Sequence, residues 1–337
     1  MIIIIIFNIV YSRSTYQLVQ GIHIKIKSLI ASILILAASA VSAAAPQIKE
    51  LNISYVKPPF VLQLLVMKDR QMLEKEFEKE GIKVNWHNMG TSPEAARAMG
   101  AGSLDIAGNM NTAAVLMLNS EGLPVRILTG TAHPTSNFAI VSKPGTHLTI
   151  KDLKGKQVVG PKGTFLHQLL VAALEKEGLK ESDVQFINMG IPKALSAIMA
   201  GRADAALVAS SALIKANKSG AETIVNADGL VEPTLVMTTT QKFAEEHPDI
   251  VKRVSKVYKE ALQWMKNNPD QSAEMGAKEH GISIENAKTL IERSHYFDKM
   301  TQKDVNDLRV NEKFLKDNGM MRNPVKVEEL VLPLAFE

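Results

Sequence analysis

The feature that most constrains the fold is an internal repeat, in which residues 93–107 and 192–206 resemble each other. Both segments begin with proline, and matching glycine and aspartate residues follow at a constant offset of 99 residues. A Met-Gly pair precedes each segment, and Glu-Lys-Glu-Gly occurs upstream at 78–81 and again at 175–178. A repeat of this length that occurs only twice predicts two similar lobes, because solenoids repeat a shorter unit many times.

Each copy of the repeat predicts the same order of elements: a helix ended by glycine, a short apolar strand, a turn, a second helix and another strand. Glycine directly after the last helical turn is a C-cap signal, so Gly81 and Gly178 are expected to serve the backbone. Asp105 and Asp204 stand at equivalent strand entries, which favours a structural hydrogen-bonding role over ligand contact. The predicted fold class is α/β, with two lobes that each contain a mostly parallel sheet flanked by helices.

The two lobes are expected to interleave along the chain. The first part of lobe I is predicted at residues 46–133, lobe II at 134–229, and the second part of lobe I with the C-terminal helices at 230–337. The chain then crosses between the lobes near 131–135 and again near 228–233. A double connection of this kind suits hinge closure around a ligand.

The N-terminal segment reads as a leader. Two lysines precede an apolar run at 28–38, and Val41-Ser42-Ala43 fits the small-x-small pattern of a signal-peptide cleavage site. The run is shorter than the roughly 20 apolar residues that span a bilayer. Residues 1–43 are therefore predicted to be a signal peptide, with 1–23 as a start-site extension, and the mature protein is expected in the periplasm. A membrane anchor or a buried helix is the alternative.

Composition argues against several classes of function. The chain has no cysteine, so disulfides, thiolate metal sites, cysteine nucleophiles and a lipid anchor on the leader are not expected. Three of the 39 Lys and Arg residues lie in residues 1–45, and the remaining 36 nearly balance the 35 Asp and Glu residues. A near-neutral body with 5% aromatic residues argues against nucleic-acid binding. The eight histidines form no His-x-x-x-His pair, so neither a metal nor a cofactor is expected.

A ligand site is expected where strands end and helices begin, because ligands of open α/β sheets bind beyond the carboxyl ends of the strands. Helix N-termini at that edge present unpaired N–H groups and the positive end of the helix dipole, which favour anions. The candidate ligand-binding residues in these loops are Tyr55, Lys57, Thr91, Ser92, Asn109, Asn111, Thr112, His133, Lys162, Gly163, Thr164, Phe165, His167 and Pro192.

The turn Lys162-Gly163-Thr164 is the sharpest of these candidates. Glycine lets a ligand approach the backbone, Thr164 can cap the helix that follows, and the next amides are expected to point at the cleft. The alternative is an ordinary N-cap loop with no ligand.

Three segments resemble the nitrate/sulfonate/taurine type of ABC periplasmic binding proteins. They are Lys162-Gly-Thr-Phe-Leu-His-Gln-Leu-Leu170, the preceding Asp152-Leu-Lys-Gly-Lys156, and Ala101-Gly-Ser-Leu-Asp-Ile-Ala107. The resemblance extends from about residue 48 to residue 266. It implies a type II periplasmic-binding fold, capture of a small anionic solute such as an aliphatic sulfonate or taurine, and delivery to ABC transporter permease subunits. We expect such a protein to act as a monomer and to catalyse nothing.

The resemblance also implies where the solute binds. Its anionic head group would be held by amides near residues 163–166, with contacts from the loops at Tyr55, Thr91, Asn109 and His133.

Two segments depart from the family pattern. Many relatives carry a Trp-x-x-Pro-type segment after the second-lobe aspartate strand, where this chain reads Leu207-Val-Ala-Ser-Ser-Ala212. Relatives also often have proline in the loop after Gly108, where this chain has Asn-Met-Asn-Thr at 109–112. Without the aromatic wall the site is expected to be more polar, and the identity of the solute is open.

Two other functions remain as alternatives. An enzyme on the same fold is one, but the desulfinase type needs a cysteine, and the thiamine-pyrimidine synthase type depends on clustered histidines. The other is a sensor that presents the same clamp to a receptor, which the sequence does not separate from transport.

Overall fold

The computed structural model describes residues 48–55, 61–89 and 91–337. These residues form two five-stranded sheets flanked by helices. The signal peptide predicted at 1–43 and the candidate residue Lys57 lie outside the described residues.

The strands and helices alternate through most of the described chain. The strands are β1 (Glu50–Tyr55), β2 (Lys83–Asn88), β3 (Ile106–Asn111), β4 (Val125–Ala132), β5 (Phe138–Ser142), β6 (Gln157–Gly160), β7 (Gln185–Asn188), β8 (Ala205–Ala209), β9 (Glu222–Asn226) and β10 (Leu235–Thr240). The helices are α1 (Leu62–Asp69), α2 (Met72–Phe77), α3 (Ser92–Gly100), α4 (Thr112–Ser120), α5 (Phe165–Lys176), α6 (Ile191–Met199), α7 (Ser211–Lys218), α8 (Gln241–Glu246), α9 (Pro248–Asn267), α10 (Pro269–His280), α11 (Ile284–Ser294) and α12 (Gln302–Asp317).

The two sheets share one design. The lobe I sheet has the strand order β2-β1-β3-β10-β4, and the lobe II sheet has the order β7-β6-β8-β5-β9. The first three strands of each sheet pair in parallel, whereas β10 and β5 run antiparallel to both of their neighbours. In each sheet the antiparallel strand occupies the fourth position. The prediction of two α/β lobes with mostly parallel sheets is confirmed.

The central strands are covered on both faces. Accordingly, β3 and β8 contain no charged residue. Every residue of β3 and of β8 is buried. Helices pack on both faces of the lobe I sheet and form two apolar cores, while lobe II has one continuous core. Continuous burial is what parallel strands between two helical layers require.

The repeated aspartates play the structural role that their spacing predicts. Asp105 Oδ2 accepts a 2.7 Å hydrogen bond from the backbone N–H of Asn52 in β1. Asp204 Oδ2 accepts the equivalent bond, at 3.1 Å, from the backbone N–H of Gln157 in β6. Each carboxylate therefore ties the entry of one strand to its parallel neighbour, and the two lobes repeat the same device.

The chain passes between the sheets twice. It leaves the lobe I sheet after Ala132, enters the lobe II sheet at Phe138, leaves that sheet after Asn226 and returns at Leu235. Both connections are short, so they place the carboxyl ends of the strands of both sheets near one another.

Candidate functional site

The turn at the carboxyl end of β6 is held in an unusual backbone conformation. Gly163 has φ of 70°, in the left-handed region that favours glycine. The preceding amide, that of Lys162, donates a 2.9 Å hydrogen bond to Asn188 Oδ1 at the end of β7. The first helical hydrogen bond of α5 runs from Gln168 N–H to Thr164 O at 3.1 Å. The amides of residues 164–167 therefore precede the helical ladder and can serve an outside acceptor.

The expected capping role of Thr164 is wrong. Thr164 occupies the N-cap position of α5, but its hydroxyl makes no cap bond and instead donates at 2.8 Å to the carbonyl oxygen of Pro161. This hydrogen bond links the last residue of the turn to its first residue. The Thr164 hydroxyl therefore does not accept a hydrogen bond from the first amides of α5.

The turn faces lobe I directly. A β-carbon at Gly163 would lie 3.5 Å from Pro93 Cγ in α3 and 4.0 Å from Met117 Cε in α4. Ser92 Oγ at the start of α3 accepts a 3.1 Å hydrogen bond from Asn111 Nδ2, and Asn111 Oδ1 caps α4 by accepting at 2.7 Å from Ala114 N–H. The structure therefore brings the lobe II turn against the start of α3 and the later half of α4, while Ser92 and Asn111 link the starts of these two helices.

Three further lobe I candidates lie at the same edge of the sheet and are held by protein contacts. Thr91 caps α3, with its hydroxyl accepting from an amide one turn later. Buried Asn109 accepts a 3.2 Å hydrogen bond from the hydroxyl of Thr131. The amide of buried Thr112 donates at 3.1 Å to the carbonyl of Thr234.

Tyr55 ends β1 at this edge, and its ring is partly covered within lobe I. It meets Trp86 edge-on at 6.5 Å between ring centroids, and the Lys68 ammonium lies 5.2 Å from its centroid.

His133 lies at the first crossing between the sheets. Its Nε2 is 3.2 Å from Asp304 Oδ1, and its ring stacks on Phe297 with centroids 4.1 Å apart. Burial raises the pKa of Asp304, but hydrogen bonds from His133 and Thr301 outweigh that effect and hold the pKa below its usual value. His133 thus joins the crossing to the start of α12, and its contact with a solute stays a prediction.

The remaining lobe II candidates have different surroundings. Phe165 is buried and packs edge-on against Phe138, with centroids 5.1 Å apart, so it belongs to the core of lobe II. Pro192 lines a separate cavity of about 500 Å³ between α6 and the edge of the sheet. His167 is 3% exposed and lies beneath the Gly163 turn, with Nδ1 3.4 Å from the Gly163 amide nitrogen.

Sequence reasoning missed several residues that shape this site. Asn188 holds the turn, and an asparagine precedes both Met-Gly pairs of the repeat, which is a signal that could have identified it. Glu181 lies 3.1 Å from His167 and 3.7 Å from Lys162, a contact with no local signal. Ser210 directly follows β8 and has a positive φ of 49°, although its neighbours in the sequence include no glycine or asparagine that would predict a positive φ there.

Within 48–55, 61–89 and 91–337, no group of three or more His, Asp or Glu side chains could hold a metal ion. No helix in the same part of the chain is long and apolar enough to cross a membrane.

Comparison with known proteins places the chain in a family. The family described as NMT1/THI5 like matches residues 76–272, which is more than half of the chain. The chain belongs to the NMT1/THI5-like family. The NMT1/THI5-like match includes the Gly163 turn, both copies of the repeat and the helix α9.

Similar proteins agree with this assignment. A putative aliphatic sulfonates-binding protein of Bacillus subtilis is 29% identical over 255 residues, covering 73% of this chain and 75% of that protein. The taurine-binding periplasmic protein of Escherichia coli is 29% identical over 202 residues, covering 58% of this chain and 62% of that protein.

A solved structure shows the fold of this NMT1/THI5-like protein. The alkanesulfonate-binding protein SsuA from Xanthomonas axonopodis pv. citri, bound to MOPS, superposes with a TM-score of 0.75 at 21% identity. The superposition covers 86% of this chain and 99% of that one. The predicted two-lobed periplasmic-binding-protein fold is therefore confirmed.

Proposed function

We propose that this protein is the solute-binding component of an ABC importer and captures a small anionic solute, such as an aliphatic sulfonate or taurine, by hinge closure. The observation that carries the proposal is the turn at Gly163, where the amides of residues 164–167 precede the first helical hydrogen bond. Such amides and the helix dipole together stabilise a bound negative charge. The turn lies against lobe I, so a solute held there contacts both lobes.

The relatives support the chemical class of the solute. Two similar proteins carry names that refer to aliphatic sulfonates and taurine, and both are binding proteins rather than enzymes. Ser92, Asn109, Asn111 and Thr112 are buried polar residues near the carboxyl ends of the lobe I strands, and they support a polar surrounding for the solute. We therefore include a polar or zwitterionic sulfonate among the expected solutes. The proposed setting is a monomer in the periplasm that delivers its solute to permease subunits, without catalysis.

Solute binding is tested by thermal unfolding of the purified protein with taurine, short alkanesulfonates, nitrate and a thiamine-type pyrimidine. A ligand that binds only the folded state raises the melting temperature in proportion to the logarithm of its concentration. We expect a concentration-dependent rise with a sulfonate and none with the pyrimidine. A rise with the pyrimidine alone would contradict the anion site, and no rise with any solute would contradict the proposed function.

The position of the site is tested by substituting Gly163 with valine. A β-branched residue at φ of 70° is strained, and its side chain enters the gap to Pro93, so we expect solute affinity to fall more than tenfold. Gly178→Val is the matched control, because Gly178 has φ of 74° and no described atom within 4 Å of an added β-carbon. Each variant is expected to lose about 1–2 kcal/mol of stability from the left-handed backbone. Calorimetric titration that gives both variants equal affinity would show that the turn does not bind the solute.

A further inference from the structure

A buried histidine lies directly under the solute-binding turn. The Gly163 amide donates to His167 Nδ1 at 3.4 Å, and the imidazole ring stacks on Phe186 with centroids 5.0 Å apart and planes 16° from parallel. Its Nε2 is 3.1 Å from Glu181 Oε2, within ion-pair distance although off the direction of a regular hydrogen bond. The ring is therefore held on three sides.

These contacts determine which nitrogen of the neutral ring carries the proton. A backbone N–H can only donate, so Nδ1 must be unprotonated to accept from Gly163. The proton of the neutral imidazole is then on Nε2, which faces the Glu181 carboxylate.

Charged side chains of the neighbouring elements also lie near the ring. Lys162 pairs with Glu181 at 3.7 Å, and Glu121 and Arg322 line the cavity of about 290 Å³ that contains His167 between the lobes.

The amides of this turn fall into two groups. Two of them donate to side chains of the protein, and those that follow precede the first helical hydrogen bond. Asn188 accepts from the amide of Lys162, and His167 accepts from the amide of Gly163, while the amides of residues 164–167 precede the helical ladder. Glycine has no side chain to restrain its peptide groups, so this turn needs both acceptors to keep one conformation. A site whose donors are fixed before binding avoids the entropy of ordering them afterwards.

We propose that His167 is a positioning residue, which accepts the Gly163 amide through Nδ1 and so orients the following amides toward the solute. The inference rests on the proposed function, and it differs from direct contact between His167 and the solute. Burial lowers the pKa of His167, and the Glu181 carboxylate opposes that effect without cancelling it. The ring is therefore neutral near pH 7, the state in which Nδ1 can accept.

The decisive comparison is between His167→Asn and His167→Gln. Asparagine can place its side-chain oxygen near the position of Nδ1, whereas glutamine places its amide near the position of Nε2 and leaves Gly163 without an acceptor. We expect His167→Asn to bind the sulfonate within threefold of the wild type, and His167→Gln to bind at least tenfold more weakly, in calorimetric titrations at pH 7.5. Full affinity in the glutamine variant with loss in the asparagine variant would assign the effect to Nε2 and overturn the proposal. Equal affinities of the two variants would also overturn it.

A second measurement needs no solute. In ¹⁵N-histidine spectra of the wild-type protein at pH 7.5, His167 should show an unprotonated Nδ1 and a protonated Nε2, and the Gly163 amide shift should follow the His167→Gln change but not the His167→Asn change. An Nδ1–H tautomer would overturn the inference even if a sulfonate binds. If wild-type protein binds none of the solutes but has the expected tautomer, the proposed function fails while the contact between His167 and Gly163 stands.

Discussion

Gly108, which lies near the candidate site, has no room for a side chain. A β-carbon at this position in β3 would lie 2.3 Å from the carbonyl oxygen of Ser54 and 2.9 Å from Leu64 Cδ1. Backbone cannot move aside as a flexible side chain does, so no larger residue fits without shifting β1 against β3. The close approach also sets the position of Asn109, the next residue of the strand.

We therefore predict that Gly108→Ala destabilises the protein by about 1–3 kcal/mol, the usual cost of overpacking a core. Gly100→Ala is the matched control, because the nearest atom to an added β-carbon there is 3.7 Å away and the residue ends α3. Alanine favours a helix over glycine, so the control should gain about 0.5 kcal/mol. Urea unfolding of both variants measures the difference, and a neutral Gly108→Ala would show that the two strands can separate at no cost.

His167 predicts a pH dependence of stability. Its pKa is lowered in the folded protein, chiefly by burial, from the ordinary value of 6.5 that applies to the unfolded chain. Below pH 6.5 the unfolded chain binds a proton that the folded protein resists, so this contribution to stability is complete above 6.5 and is lost as the pH falls toward the folded-state pKa. We expect the melting temperature of the wild type to fall more between pH 7 and pH 5 than that of His167→Gln. Parallel curves for the two proteins would contradict it.

At the scale of elements, one helix of each lobe joins the two halves of the molecule. Gln168 Nε2 in α5 donates a 2.9 Å hydrogen bond to Asn311 Oδ1 in α12, and both residues are buried. The Gly163 turn leads directly into α5, and the first turn of α12 contains Asp304, the partner of His133. The contact thus forms part of the arrangement in which the lobes lie together.

Removing this contact should weaken solute binding from a distance. A net hydrogen bond contributes about 1 kcal/mol, so Asn311→Ala should make the closed arrangement less stable and lower affinity about fivefold. Lys313→Ala on the same helix is the control, because Lys313 is exposed and its pair with Asp317 is a surface ion pair of little value. Calorimetric titration checks both variants. Unchanged affinity in Asn311→Ala would separate this contact from solute capture.

The same elements show what could be predicted from the sequence. The amphipathic pattern of residues 248–267 predicts a helix with the bounds that α9 has in the structure, because such a pattern is local and extends over many residues. Thr164 was expected to accept from an amide of α5, yet its hydroxyl makes no cap bond and donates to Pro161, because a threonine side chain has several possible backbone partners nearby and only the folded turn decides among them. The burial of His167 depends on Phe186 and Glu181, which are distant in sequence and carry no periodic signal.

At the scale of the whole molecule, the repeat made the two lobes predictable, because matching helix ends, strands and aspartates predict matching folds. The strand order was not predictable in the same way. Nothing local indicates that β10 inserts between β3 and β4, since that pairing joins segments more than 100 residues apart. The repeat also allowed the candidate loops to be identified, because it locates the ends of the strands. It did not predict the side-chain contacts within those loops.

The insertion of β10 also governs the order in which the molecule can be assembled during synthesis. In the lobe I sheet β4 pairs with β10, and a further bridge joins its Ile127 to Val331. Both partners leave the ribosome well after β4, whereas every strand of the lobe II sheet has been made once Asn226 emerges. A nascent chain can therefore complete its middle third first, while an unpaired β4 edge waits for the carboxyl-terminal third. That waiting edge is the surface that a chaperone would protect and a protease would attack.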